Sequence, residues 1–423
     1  MENAKKKKLT PEMRIILKSE VISERQLRLR LKKGVIAIIP NRGNSDPIAF
    51  GDGLRSKILC NLGTSTESTD IQKIIEIAKI TANFGANIIC DQSTGPDLAL
   101  NRQKLLREIN LPLASIPLYQ NAEISIAKYK DPIAFKSNDV IKTFLEQVKT
   151  GISAPGFHPV SKELVQIIEK SKRVMPYVSR GGTILSLWIK RNNEENPYLT
   201  YFDEILEICA EFDVPITFVS ATRSGCLADG FDDVQKFEWK LIRRLIKRAH
   251  SKNVSVIVDG IGHLRIDQIP RAVKAIKRIT FNVPLGVMGP ATTDRALGYE
   301  HISHAIGASV AIQYGANYCQ ACCRTEHLGL PELPDVIEAL STYKIATYIG
   351  DLSRLPHLNK IDRIVSMARG RNEWGTQLKY AIEPIKALEI FERVGPKNPK
   401  SKGCAICGDL CPFKLKDLNE EGD

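Results

Sequence analysis

Three cysteines near the end of the chain, Cys404, Cys407 and Cys411, are spaced closely enough to hold an inorganic centre. A structural zinc site takes four ligands, and no other Cys or His follows His357 to supply the fourth locally. A tetranuclear iron–sulfur cluster normally takes four thiolates. Three thiolates would leave one iron open, and S-adenosylmethionine is the usual molecule to bind there. The spacing alone leaves two interpretations open: an open iron–sulfur cluster, or a zinc site that a distant residue or a partner chain completes.

Polar and small residues also follow six apolar segments of the chain, where turns or binding loops are expected. A turn-forming role would account for one or two of these stretches. Six of them, with Arg and His included, favour a shared site. The stretches are 61–65, 91–95, 119–120, 220–223, 259–263 and 289–294.

The elements that must position these residues alternate between strands and helices, which is typical of a parallel sheet with covered faces. About eight strands over roughly 300 residues favour a closed (β/α)8 TIM-type barrel, an α/β fold with its active site at the C-terminal strand ends. Amphipathic helices are predicted, for example, at 70–84, 204–212 and 233–251. The strand-like apolar runs are 35–40, 57–62, 86–90, 112–118, 215–221, 254–260, 284–289 and 308–314.

Four regions are predicted along the chain. Gly and Pro interrupt the segment 395–403, so we expect a mobile linker that delivers the three cysteines to a site on this chain or a neighbouring one. A helical C-terminal region with helices at 336–352, 360–369 and 383–394 precedes the linker. The regions are an N-terminal tail and helix (1–33), the catalytic barrel (34–334), the helical region (335–395), and the linker with its small Cys-rich tail (396–423).

The composition is typical of a soluble cytoplasmic protein. No segment approaches the ~20 apolar residues that a membrane span needs, and no apolar run follows the lysines at 5–8 to make a secretory signal. The ten cysteines lie in apolar runs or clusters rather than in a disulfide framework, as in a reducing compartment. The net charge of +12 is compatible with nucleic-acid binding. However, the basic residues are spread along the chain without interleaved aromatic residues, and a phosphorylated substrate explains them equally well.

Several segments resemble the phosphomethylpyrimidine synthase family of radical S-adenosylmethionine enzymes, which make the pyrimidine of thiamine. The motif Glu326-His-Leu-Gly-Leu-Pro331 is similar to the family signature, and the closing cysteines match as well. The resemblance is collinear from about residue 34 to residue 412. Further matching segments are 91–95, 117–120, 178–182, 292–302, 305–307 and 343–346.

This resemblance implies a homodimer of (β/α)8 barrels, in which the cluster segment of one subunit completes the active site of the other. It implies a [4Fe-4S] cluster on Cys404, Cys407 and Cys411, with S-adenosylmethionine on the open iron and an external electron donor. The 5′-deoxyadenosyl radical from reductive cleavage would rearrange 5-aminoimidazole ribotide into 4-amino-5-hydroxymethyl-2-methylpyrimidine phosphate. Neither a nucleic acid nor a membrane is expected as a partner.

The resemblance also implies metal ligands and substrate contacts. His263 and His327 match the family's pair of ligands for zinc or iron; without the family, either would be interpreted as an ordinary loop residue. His301 and His304 are rival ligands, although the resemblance gives the loop of His301 a role other than metal binding. Ser179, Arg180 and Gly181 resemble a substrate-binding triplet that suits a phosphate, because Arg offers a charged fork and Gly lets the backbone approach closely. The other substrate contacts are expected at Asn61, Cys90, Tyr119, His158, Ser220, Arg223 and Asp259.

Departures from the family pattern are concentrated among these contacts. A substrate polar group left unpaired in a site costs ~1–3 kcal/mol, enough to shift preference between related substrates. The cluster motif is Cys-x2-Cys-x3-Cys where the family has Cys-x2-Cys-x4-Cys, a difference that a flexible loop can absorb. The substitutions are Cys90 for Met, Ser220 for Asp, Asp259 for Glu, and Gly286 for a substrate-binding Tyr.

Two other functions remain open from the sequence. One is 5-hydroxybenzimidazole synthase, a related enzyme of anaerobic cobamide synthesis that uses the same scaffold and the same ribotide. The other is a non-catalytic or regulatory metal-binding homologue. The retained cysteines, histidine pair and Ser-Arg-Gly triplet favour an enzyme, because a protein without the reaction has no reason to keep all three. The family pattern does not explain Cys319, Cys322 and Cys323, which we expect to be small buried residues rather than further metal ligands.

Overall fold

The computed structural model describes residues 1–6, 8–40, 42, 46–396, 404–412 and 415. The chain divides into two compact units, Met1–Asp351 and Leu352–Asp423. Part of the lysine run at 5–8, most of the predicted linker at 396–403 and the acidic end after 415 lie outside the described residues.

Eight parallel strands of the first unit close into a barrel, as predicted. The closing pair joins the last strand of the chain to the first barrel strand, with Tyr318 opposite Lys57 and Ala321 opposite Cys60. Two further strands, β1 and β2 in the following list, form an antiparallel hairpin before the barrel. The strands are β1 (Ile36–Ile39), β2 (Ile48–Gly51), β3 (Lys57–Leu62), β4 (Ile88–Asp91), β5 (Leu113–Ser115), β6 (Ala154–Phe157), β7 (Ile216–Val219), β8 (Val256–Asp259), β9 (Leu285–Met288) and β10 (Tyr318–Ala321).

The helices alternate with the barrel strands, and the predicted helices at 70–84, 204–212, 233–251, 336–352, 360–369 and 383–394 are confirmed within one to three residues at their ends. No helix among the described residues is long and apolar enough to cross a membrane. The helices are α1 (Glu2–Lys5), α2 (Pro11–Ser19), α3 (Glu24–Lys33), α4 (Ile71–Thr81), α5 (Leu98–Glu108), α6 (Pro117–Tyr129), α7 (Asp139–Thr150), α8 (Lys162–Lys170), α9 (Arg180–Asn192), α10 (Pro197–Thr200), α11 (Phe202–Glu211), α12 (Asp233–Ser251), α13 (Ile269–Ile279), α14 (Glu300–Gln313), α15 (Leu333–Leu352), α16 (Asn359–Gly370), α17 (Trp374–Lys379) and α18 (Pro384–Val394).

Six of the eight predicted barrel strands are confirmed, and two predictions were wrong. The run 35–40 forms β1 of the hairpin instead of a barrel strand. The run 308–314 lies mostly in α14, whose buried alanines at 305, 308 and 311 follow helical spacing. The two strands missing from the prediction are β6, which contains Pro and Gly, and β10, which contains the polar Gln320. Both are four residues long and lack the apolar run that the prediction relied on.

The hairpin forms a floor for the interior of the barrel. Ala37, Ile39 and Phe50 pack in one buried cluster with inward-facing residues of the barrel strands. Because Ile39 and Phe50 also line the cavity described below, the hairpin covers the end of the cavity opposite the C-terminal ends of the strands.

A buried ion pair holds the loop after β4. The Asp91 carboxylate accepts from Arg102 Nε at 3.0 Å and from the backbone N–H of Ser93, also at 3.0 Å. Arg102 in turn donates to Gln120 Oε1 at 2.8 Å, which connects the loop to α6. The carboxylate that the sequence places at this strand end therefore supports the loop.

The second unit contains α16, α17 and α18, and the rings of Trp374 and Phe391 pack at 5.1 Å between centroids within it. The three closing cysteines also belong to this unit. A short 3-10 turn, Gly408–Leu410, separates the second cysteine from the third.

Candidate active site

The C-terminal ends of the barrel strands surround a cavity of about 400 Å³, a size that suits a small ligand. Eight of the ten predicted substrate-binding residues line it, so loops that are far apart in sequence meet at one site. Gly181 and Ser220 are the two that do not. The eight are Asn61, Cys90, Tyr119, His158, Ser179, Arg180, Arg223 and Asp259.

Two glutamine side chains connect these residues across the cavity. Gln320 donates from Nε2 to Asp259 Oδ2, and its Oε1 accepts from Asn61 Nδ2 at 3.0 Å. Gln92 Nε2 contacts Cys90 Sγ at 3.2 Å and Asn61 Oδ1 at 3.5 Å. Neither glutamine was predicted as a site residue. Gln320 lies on β10, one of the two strands that the prediction missed, and a single amide such as Gln92 among loop residues gives no signal of its own.

Burial changes the proton affinities of the two acidic groups in this network. It raises the pKa of the Asp259 carboxyl to about 6, although Arg223 and Gln320 act in the opposite direction. It also raises the pKa of the Cys90 thiol to about 12, so the thiol stays protonated at neutral pH. A carboxyl that titrates near the working pH is able to exchange a proton with a bound substrate.

Two arginines give the cavity a positive wall. Arg180 Nη1 donates to Gln92 O at 3.0 Å, and the guanidinium lies 4.8 Å from the centroid of the Tyr119 ring. Arg223 Nη1 donates to Ser220 O at 3.1 Å. Since a guanidinium has five N–H donors, both groups retain donors for an anionic ligand such as a phosphate.

Helix α9 begins beside Arg180 with its first turn at the cavity. Ser179 caps the helix, since its Oγ accepts from Gly182 N at 3.2 Å. The N–H groups of a first helical turn attract anions. A Cβ at Gly181 would lie 2.3 Å from His158 Nδ1, so the glycine lets the start of the helix pack against the imidazole.

His158 follows β6 and is a buried, neutral imidazole. Burial and the neighbouring Arg223 and Arg180 lower its pKa to about 3. Its Nδ1 has no hydrogen-bond partner within the described residues. An unpaired buried nitrogen costs free energy, which a hydrogen bond from a ligand would remove.

The Ser220 side chain points away from the cavity, toward Glu238 on α12. Its Oγ donates to the buried carboxylate of Glu238, which also accepts from Ala221 N and from Thr222 Oγ, each at 2.6 Å. Glu238 lies on α12, 18 residues away, and was not predicted. The resemblance leads us to expect a carboxylate at position 220, and this carboxylate is absent. The carboxylate of Glu238 instead binds the loop 220–222 from the side opposite the cavity.

Gly286 and Tyr318 are register partners on β9 and β10. A Cβ at Gly286 would lie 2.0 Å from Tyr318 Cζ. The Tyr318 ring lines the cavity and stacks on Phe50 with centroids 4.7 Å apart. A phenol therefore occupies the space beside Gly286, although it comes from the neighbouring strand.

His263 and His327, from the loops after β8 and β10, lie next to each other with ring centroids 5.4 Å apart. Asp294 Oδ1 contacts the Nδ1 of His263 at 2.7 Å, and Glu300 Oε1 contacts the Nδ1 of His327 at 3.1 Å. Both carboxylates are anchored, since Asp294 accepts from Leu227 N and Glu300 from Gly298 N, each at 2.9 Å. These carboxylates lie in a segment that resembles the family, but their roles were not predicted.

This arrangement fits the metal that the resemblance implies. Carboxylates on Nδ1 orient metal-binding imidazoles and leave Nε2 for the metal. Two imidazoles that bind one tetrahedral zinc through nitrogens about 2.1 Å away hold their centroids roughly 5 Å apart. Burial lowers the pKa of His263, which favours the neutral form that binds metals. As the described side chains are placed, no group of three or more His, Cys, Asp or Glu residues surrounds a common metal position.

Six of the ten cysteines lie in two groups along the sequence. Cys404 is half-buried, Cys407 exposed and Cys411 buried, and all three are free thiols. Three thiols at this spacing match the donors of an iron–sulfur cluster. The second group is buried, as expected, and burial raises the pKa of each of its thiols. That group consists of Cys319, Cys322 and Cys323.

Comparison with known proteins shows similarity along almost the whole chain. The model of the Radical SAM ThiC family matches residues 1–417. A phosphomethylpyrimidine synthase of Pyrococcus furiosus is 39% identical over 419 residues, 98% of this chain and 97% of that protein. Proteins of the same name from Pyrococcus abyssi (37% over 418 residues, 98% and 97%) and Caldanaerobacter subterraneus (35% over 411 residues, 96% and 95%) are also similar.

Proposed function

Because the chain belongs to the radical SAM ThiC family, we propose that its barrel cavity takes 5-aminoimidazole ribotide as the substrate. The protein is a radical SAM enzyme of thiamine pyrimidine synthesis. The convergence of eight predicted contact residues on one cavity carries the substrate assignment. The product would be 4-amino-5-hydroxymethyl-2-methylpyrimidine phosphate.

The cavity wall offers two kinds of contact to this ribotide. Arg180, Arg223 and the first turn of α9 would hold the phosphate, because they combine charged donors with helix N–H groups. Asn61 and Asp259 would hold the aminoimidazole, since an amide and a carboxyl pair with its amino group and ring nitrogens. The carboxyl of Asp259 is the group placed to move a proton near neutral pH.

The three closing cysteines would hold a [4Fe-4S] cluster. When bound, this cluster supplies the electron that cleaves S-adenosylmethionine, and an external donor reduces it. The chain contributes three thiolates and leaves one iron for the cofactor. The resemblance supports a homodimer in which the tail of one subunit serves its partner's cavity, and the free cysteines fit a reducing compartment such as the cytoplasm.

His263 and His327 would hold a zinc or iron ion through their Nε2 atoms. Asp294 and Glu300 keep the Nδ1 atoms engaged and the rings oriented. The ion would supply a fixed positive charge with open positions for an oxygen or nitrogen of a ligand.

Anaerobic reconstitution tests this function. The purified chain is loaded with iron and sulfide, reduced, and incubated with S-adenosylmethionine, with and without 5-aminoimidazole ribotide. We expect 5′-deoxyadenosine, with the pyrimidine phosphate formed only when the ribotide is present. Absence of 5′-deoxyadenosine under every condition would refute the catalytic role.

The same experiment separates the related benzimidazole function. The Ser220 hydroxyl points to Glu238, and the Tyr318 phenol fills the space beside Gly286, so the cavity wall differs from the family pattern. Formation of 5-hydroxybenzimidazole from the ribotide would assign that second function. Cleavage of S-adenosylmethionine without any ribotide product would indicate a different ribonucleotide.

A further inference from the structure

A third imidazole, His304, lies beside the His263–His327 pair. Its ring centroid is 6.0 Å from that of His263 and 6.4 Å from that of His327. The side chain is buried, at 2% exposure. We propose that His304 is a third protein ligand of the metal held by His263 and His327. This inference rests on the proposed function, which brings a metal to the pair.

All three imidazoles have the same nitrogen engaged. The Nδ1 atoms of His263 and His327 contact carboxylates, and the Nδ1 of His304 contacts the backbone carbonyl of Glu300 at 2.8 Å. Within the described residues, no hydrogen bond to any of the three Nε2 atoms is present. Each ring therefore has its Nδ1–H donated to oxygen and its Nε2 lone pair available, which is the pattern of metal-bound histidines.

A single residue, Glu300, orients two of these rings. Its carboxylate contacts His327, and its carbonyl contacts His304 one turn along α14. The start of this helix therefore fixes the relative orientation of His304 and His327. Asp294 and Glu300 also place two carboxylates around the group, which balance the charge of a divalent ion.

The three rings lie only slightly farther apart than a shared metal ion requires. Three imidazoles on one tetrahedral ion would hold their centroids roughly 5 Å apart, so the contacts of His304 must shorten by about 1 Å. His327 can make this movement because its side chain is 42% exposed and lies in a turn. Gly289 packs against the ring of His304, and a Cβ there would lie 2.5 Å from Cδ2. The absence of a side chain at Gly289 therefore makes room for the imidazole ring of His304.

The neighbouring His301 provides the contrast. It is on the same helix and equally buried, but its Nε2 lies 3.3 Å from Glu338 Oε1, and its ring stacks with that of Tyr299. It is not part of the three-ring group. A third protein ligand would leave a tetrahedral ion one open position instead of two, which restricts the ion to a single ligand atom.

The test measures metal binding in the full-length, cluster-reconstituted enzyme. Zinc affinity is determined by competition with a chelating dye, and the number of imidazole ligands by X-ray absorption at the zinc edge. The variant is His304→Asn, because the Asn amide can keep the hydrogen bond to the Glu300 carbonyl but has no counterpart of Nε2. The matched control is His301→Asn, and the reference variant is His263→Ala.

We expect His304→Asn to weaken zinc binding by at least about 10-fold, the loss typical even of residues one step from the metal, and to remove one imidazole from the spectrum. We expect His301→Asn to stay within about twofold of the unaltered enzyme. Unchanged affinity and unchanged imidazole count in His304→Asn would overturn the proposal while leaving the two-histidine site intact. If His263→Ala also binds zinc normally, the two-histidine site itself fails, and the third ligand with it. Circular dichroism checks folding, and His304→Gln replaces His304→Asn if the latter does not fold.

Discussion

Replacing Asp259 with Asn is expected to stabilise the barrel at neutral pH and to abolish a pH-dependent loss of stability. Burial raises the pKa of the Asp259 carboxyl to about 6, against about 3.9 for an ordinary Asp. One pH unit of this difference corresponds to 1.36 kcal/mol, so ionising the buried carboxyl costs about 3 kcal/mol. The cost is small below about pH 4, where the group is largely protonated in the folded state and increasingly so in the unfolded state, and it is complete above about pH 7. The free energy of unfolding therefore falls across this range.

Asn removes the charge but keeps the acceptor. Its Oδ1 can still accept from Gln320 Nε2, which contacts Asp259 in the structure, so the network across the cavity is retained. The variant should equal the unaltered protein in stability at pH 4 and exceed it by about 3 kcal/mol at pH 7.5. Catalytic activity should fall at the same time, because the group that titrates near pH 6 is lost.

Urea unfolding at the two pH values measures this effect. Other buried groups, such as His158, contribute equally to both proteins, so the difference between the proteins isolates Asp259. Asp267→Asn is the control, because Asp267 is exposed and its ion pair within the described residues is with Arg265; it should change stability by only a small amount at either pH value. An identical stability difference at pH 4 and pH 7.5 for Asp259→Asn would refute the reasoning.

Three further substitutions test other parts of the site. Cys404→Ala should abolish the visible absorbance of the reconstituted cluster without changing zinc content, and absorbance at full strength would contradict the assignment of the ligands. Arg180→Lys should raise the KM for the ribotide at least about 10-fold with little change in kcat in steady-state assays, because one hydrogen bond to a charged group contributes about 1.5–3 kcal/mol; an unchanged KM would place the phosphate elsewhere. Gly181→Ala should lower the free energy of unfolding by about 1–3 kcal/mol, because its Cβ would meet the His158 ring. Gly375→Ala, where nothing lies within 4 Å, should show no such loss in the same urea titration.

The sequence predicted the convergence of the site because a barrel gathers the C-terminal ends of its strands. Asn61, Cys90 and Asp259 lie within confirmed strands, and the period of the strands and the position of their ends determine where these side chains point. Arg180 could be placed in the cavity only through the resemblance. Its segment follows no strand directly, and nothing local indicates that α9 begins at the cavity.

What the sequence did not predict depends on contacts between distant segments. Gln320 could be identified as a site residue only after β10 was recognised. The search for apolar runs missed this strand because the polar Gln320 interrupts it. Ser220 lies at a confirmed strand end, yet Glu238 on α12 takes its hydroxyl away from the cavity. The sequence of one segment cannot show whether a small polar side chain will face the cavity or form a hydrogen bond with a residue of a distant helix.

The exchange between Gly286 and Tyr318 shows the same limit in a form that matters for specificity. The resemblance leads us to expect a phenol at position 286, but the sequence has Gly there. A position-by-position comparison with the family pattern therefore indicates that a substrate contact has been lost. In the fold the two positions are register partners, and the phenol of Tyr318 occupies the space where a side chain of residue 286 would begin. The cavity thus has an aromatic ring beside position 286, near Asp259 and Cys90. Because the ring is attached to β10 rather than β9, its hydroxyl end, and not its Cβ, lies beside Gly286. Any change in substrate preference would then follow from that placement of the hydroxyl rather than from the loss of an aromatic residue.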